Sequence, residues 1–149
     1  MAQVPDQALA YLKPGDDYAI GGLLVHVNRV LVHYRRVLVA LVDGGYAPVE
    51  PLDSPSDWSE AAVRAKAGLD AAERDEELRL MRAEHAAVVA AARSISDDDW
   101  VRKTAVTYEV GAEPFPSSPD DILMWLRDHY REHVDQCPEL VAEWARAAG

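Results

Sequence analysis

The clearest alternation of apolar and polar positions runs from Asp120 to Gln136, DDILMWLRDHYREHVDQ. Ile122, Leu123, Leu126, Tyr130, Val134 and Cys137 recur at helical period and make one apolar stripe. Ser118 ahead of it, Pro119 at the first helical position and Asp120-Asp121 in the first turn specify where that helix starts. Pro138 should kink or interrupt it, leaving LVAEWARAAG as a last amphipathic segment. A second stripe, including Ile20, Leu24, Val27, Leu31, Leu38 and Leu41, predicts a helix over residues 18–42, capped by Asp16 or Asp17 and stopped at Gly44-Gly45. A third helical region begins at Ser56 or Asp57, with Glu60 placed to complete a capping box from Asp57. It breaks near Gly68 and resumes from about Ala71 to Ser94. There Leu78, Met81, His85, Val88, Val89 and Ala92 share a face, which turns His85 inward.

The remaining stretches are short or irregular. Residues 1–16 hold one amphipathic piece ended by Pro14-Gly15, and Tyr46 to Pro55, with three prolines, reads as a loop. Ser96 to Trp100 is a short capped turn, Thr104 to Val110 is β-prone, and Gly111 to Pro119 carries too much proline for regular structure. Long helices joined by loops with little strand give an all-α fold, a four-helix bundle, and 149 residues suit one domain over 1–149.

Composition narrows the partners. The net charge of −11 repels phosphate backbones and anionic membranes, so nucleic acid and membrane surfaces are excluded as partners. No run reaches the roughly 18 apolar residues of a membrane span. MAQVPDQALAYLK lacks a basic stretch followed by an apolar one, which places the expected location in the cytoplasm. The single cysteine, Cys137, excludes an internal disulfide and reads as a small buried hydrophobe.

The candidate chemistry lies in the histidines. His129 and His133, four residues apart, fall inside the apolar stripe of their helix, at a spacing from which two imidazoles reach one metal ion. A third ligand must then come from another helix. His26 and His33 share a line at one edge of the stripe over residues 18–42, and spacing alone does not choose between them. His85 is expected as a core histidine held by one hydrogen bond, or in contact with substrate. His129 to His133 also fits the H-x-x-E-H pattern of inverted zinc proteases, with Glu132 as base. Glu132 falls well to one side of both histidines and only sixteen residues follow His133, so it reads as a solvated charge that at most touches a group behind the ligands.

Four stretches, in order, resemble the DinB-like family of small helical-bundle proteins: YAIGGLLVHV from Tyr18, LRLMRAEHAAVVAAARSI from Leu78, SISDDDWVRK from Ser94, and the His-x-x-x-His helix from Asp121. The resemblance covers about residues 15–137. Tyr18 stands where the family usually has tryptophan, and no acidic residue follows His26 at the usual short interval. The resemblance implies His26, His129 and His133 as a metal triad, with His33, His85 and Glu132 left as candidates for supporting or substrate contacts. Similar proteins of known activity include bacillithiol transferases and mycothiol-dependent maleylpyruvate isomerases. It therefore implies a divalent-metal-dependent, thiol-dependent transferase or isomerase acting on a small-molecule thiol and an electrophile. Zn²⁺ or Ni²⁺ leads among the ions, with Fe²⁺ and Mn²⁺ admissible. The N-terminal segment is shorter than in many members, so a homodimer is expected to cover the side it leaves thin. The competing expectation is a metal-free helical interaction or regulatory module that acts as a dimer.

Overall fold

The computed structural model describes all 149 residues. A 3-10 turn at Asp6–Ala8 precedes four helices, α1 (Ile20–Asp43), α2 (Pro55–Ala67), α3 (Ala71–Arg93) and α4 (Pro119–Ala148). Between α3 and α4 lies a two-stranded antiparallel sheet of β1 (Thr104–Val106) and β2 (Phe115–Ser117). No helix is long and apolar enough to cross a membrane.

The hub is α1, which packs against α2, α3 and α4. Its side chains enter three apolar clusters. Leu31, Leu38 and Leu41 meet Val106, Ile122 and Leu126 in the largest; Ile20 joins Val4, Leu9 and Leu140; Leu24 and Val25 join Ala65 and Leu69. At Gly22 the chain of α2 passes so close that a Cβ would sit 1.6 Å from the Ala65 carbonyl oxygen. A side chain there would drive the two helices apart.

Helix starts follow capping chemistry, with two corrections to the sequence reading. Neither Asp16 nor Asp17 caps α1: its N-cap is Ala19, which makes no side-chain cap bond. Its first amides donate instead to the N-terminal segment, Ile20 N–H to the Tyr11 carbonyl at 2.9 Å and Gly21 N–H to the Leu9 carbonyl at 2.8 Å. Backbone acceptors thus satisfy the orphan donors that a cap would have taken. The cap of α2 is Ser54, not Ser56 or Asp57, with Pro55 in the first turn and Asp57 closing the box in place of Glu60. Asp70 and Glu73 form a further box on α3, and Ser118 and Asp121 form the one expected on α4.

Two proline expectations also change. Gly111 to Pro119 is not wholly irregular, because Phe115–Ser117 pairs with β1; Pro116 lies opposite Ala105 on a two-stranded sheet. Pro138 does not interrupt α4, which runs unbroken from Pro119 to Ala148. Leu140 and Trp144, packed against the Val4, Leu9 and Ile20 cluster, hold the far half of the helix in place.

Candidate metal centre

Six residues after Ile20, His26 lies on α1 beside the middle of α4, where His129 and His133 project. The three rings form a near-equilateral triangle, with centroids 4.9 Å from His26 to each of the others and 4.5 Å between His129 and His133. One ring nitrogen from each lies within 4.8 Å of the other two, and all three residues are half-buried.

Hydrogen bonding sets this group apart from ordinary core histidines. His133 Nδ1–H donates to Gln136 Oε1 at 2.8 Å, which leaves Nε2 of that ring as a bare lone pair. That Nε2 is buried with no partner, and so is Nε2 of His129. Two buried unpaired nitrogens in one cluster are costly in a folded protein unless something binds them. Burial, and secondarily the neighbouring His129 and His133, push the His26 imidazole down to about 4. Burial likewise lowers His129, with His133 adding to it and Glu132 opposing it. Both rings are therefore neutral at pH 7, the form that offers lone pairs to a cation. Tyr18 stacks on His26 with centroids 4.5 Å apart and meets His133 edge-on at 6.3 Å, so it fixes the ring planes from one side.

These donors fit a divalent ion. Imidazole nitrogens held at about 2.1 Å around one ion lie about 3.4 Å from each other in a tetrahedral set, a modest contraction of the observed cluster. Three neutral ligands leave the ion its full charge and leave room for an exogenous ligand.

The other expected site residues fall elsewhere. His33, two turns along α1, is buried against Asp53: its Nδ1 lies 2.5 Å from Asp53 Oδ2, and Arg29 and Arg36 pair with Oδ1 of the same carboxylate. Burial opposes ionisation of Asp53, yet hydrogen bonds from His33 and Arg29 hold it below the ordinary carboxylate range. Arg29 in turn lies 4.6 Å over the Trp58 ring. This cluster ties the loop between α1 and α2 to the hub helix and has no part in the triad.

His85 does not point inward. It is exposed, and its Nε2 meets the Tyr130 hydroxyl at 2.9 Å. The buried face of α3 is turned by roughly 60° from the apolar one, toward Glu77 and Glu84. Asn28 Nδ2 donates to Glu77 and Arg35 donates to Glu84 at 2.6 Å, so polar partners on α1 set the rotation. Glu132 is exposed, with Oε2 4.0 Å from His129 Nδ1, beyond a hydrogen bond. Val134, placed in the α4 stripe, is 66% exposed. Cys137 is half-buried, with Sγ 3.2 Å from the Met1 sulfur.

Two contributors escaped the sequence reading. Gln136 lies three residues after His133, a spacing that places it beside the ring and that local pattern could have flagged. Asp53 sits in a proline-rich loop with no local signal of its burial. No family model, no curated protein and no solved structure matches the chain.

Proposed function

We propose that the chain is a DinB-like, divalent-metal-dependent and thiol-dependent transferase or isomerase, acting on a small-molecule thiol and an electrophile. The observation that carries the metal is the pair of buried, unpartnered Nε2 atoms on His129 and His133, gathered with His26 within 4.8 Å. Polar atoms abandoned in this way have a natural occupant in a cation, and Zn²⁺ or Ni²⁺ suits three imidazoles, with Fe²⁺ and Mn²⁺ next. The DinB-like order of motifs supports the thiol chemistry.

A divalent ion at the triad supplies a Lewis acid that brings a bound thiol toward thiolate near neutral pH. The chain's own residues do the rest. Gln136 holds His133 in the tautomer that points Nε2 at the cluster, and Tyr18 holds His26 by stacking. In a transfer, the thiol gives up its proton to water, its sulfur bonds to the electrophilic carbon, and the leaving group departs with its bonding pair. No side chain is required as a covalent nucleophile.

The test is elemental analysis of tag-free protein beside His26→Ala, His129→Ala and His133→Ala, with melting curves before and after chelation. Near-stoichiometric divalent ion in the parent, lost from all three variants, is expected. An ion at 1,000 times its dissociation constant adds about 4 kcal/mol of stability, a shift on the order of 10 °C at this chain length. A parent that holds no ion, takes up neither Zn²⁺ nor Ni²⁺ and melts identically with chelator is instead a metal-free module.

A further inference from the structure

A groove with a volume of about 700 Å³ runs between the N-terminal segment, α1, α3 and α4, and His133 forms part of its wall. It is the one member of the triad there. Most of the wall is apolar, with Leu24 and Val27 from α1, Met81 from α3, and Val134, Val141 and Ala142 from α4, while Gln3 and Tyr130 add polar groups. No Asp, Glu, Lys or Arg side chain lines it, although the chain has 41 such residues if 15 basic and 26 acidic ones are added. An ionised ligand placed there would lose hydration and meet no charged side chain in exchange. The volume is that of small-molecule sites.

Besides the side chains of His133, Gln3 and Tyr130, the backbone supplies one acceptor. Pro138, also in the wall, has no N–H, so the carbonyl of Val134 one turn earlier lacks its helical donor. That carbonyl accepts hydrogen bonds and donates none.

We propose that this groove is the binding site for the electrophilic substrate, and that the substrate is an uncharged, largely apolar small molecule. The assignment rests on the metal-dependent reading above, since it is His133 that joins groove to triad. The groove's chemistry selects against carboxylates and phosphates. Its breadth admits an aromatic ring or a branched chain of similar size.

The experiment uses Nile red, an uncharged apolar fluorophore, titrated into the metal-free and the Zn²⁺-loaded protein, with 4-phenylbutanol and 4-phenylbutyrate as competitors. One saturable site per chain is expected in both forms. The alcohol should displace the dye at a concentration at least tenfold lower than the carboxylate. Val134→Asp and Ala142→Asp, both at exposed positions on α4, should weaken dye binding at least tenfold while melting as the parent does. Val89→Asp, exposed on α3 outside the groove, should leave it unchanged. Absent saturable binding, equal competition by the two compounds, or binding indifferent to both α4 substitutions would overturn the assignment. Sedimentation velocity adds one more outcome: a parent dimer that Ala142→Asp converts to monomer makes the groove a subunit interface and also overturns it. Dye binding that persists in a protein unable to hold metal fails the metal reading and leaves the groove intact.

Discussion

Helix α1 carries two histidines seven residues apart, and their surroundings differ in one decisive respect. His33 meets a carboxylate that two arginines also hold, so its Nδ1 has a partner, although Arg29 Nε in that cluster has none. His26 meets two other imidazoles, and two nitrogens of that group have none. Burial does not distinguish them, since the better buried of the two is His33. What distinguishes a structural histidine from a ligand is whether its polar atoms are already spoken for.

The largest effect should come from breaking the ion-paired cluster around Asp53. Asp53→Asn removes the one anion among Arg29, Arg36 and His33, and should cost about 3 kcal/mol in urea denaturation, the scale of a broken buried ion pair. A loss under about 0.5 kcal/mol would mean that the cluster is no more than a surface pairing.

Next in size is a paired substitution in metal-free protein. His33→Leu leaves Asp53 Oδ2 without its partner and should cost about 2 kcal/mol, whereas His129→Leu removes an unpaired buried nitrogen and should be neutral or stabilising by up to about 1 kcal/mol. Equal losses at both positions would erase the contrast.

Acid sensitivity sharpens the comparison further. His26 titrates at about 4 in the folded chain against an ordinary 6.5. As pH falls from 6.5 the unfolded chain takes up that proton first, so metal-free stability is lost between about 6.5 and 4. Asp53 is shifted down from 3.8, so its contribution is kept above 3.8 and lost only below it. Urea midpoints at pH 7, 5 and 4 should therefore fall steadily in the parent and fall less steeply in His26→Leu, where His129, also lowered by burial, still titrates.

Much of this architecture was legible in the chain. The apolar period placed α1 and the start of α4 within a few residues, though not the run of α4 past Pro138, and the His-x-x-x-His spacing put two members of the triad on one face. Sequence spacing alone left His26 and His33 open; family resemblance favoured His26, and the structure gathers His26 with the α4 pair. Ser54-Pro55-Ser56-Asp57 has the same pattern as Ser118-Pro119-Asp120-Asp121, yet only the second was read correctly. Proline and aspartate at those spacings are a start signal wherever they occur. The orientation of α3 was not legible, because partners on α1 draw in Glu77, which is buried, and Glu84, which is half-buried, while hydrophobicity ranks both as surface. Asp53 was hidden for the same reason: its burial depends on arginines that sequence places far from it.

The start of α4 is pinned by a buried serine and proline, and its two histidines follow at fixed offsets of eleven and fifteen residues from Ser118. That stretch works as a ruler. Deleting any one residue between Ser118 and His129 turns both imidazoles through about 100° and moves them about 1.5 Å along the axis. Descendants of this gene can thus lengthen or shorten the hairpin turn between β1 and β2 at little cost, while the eleven-residue interval admits substitution but no change of length.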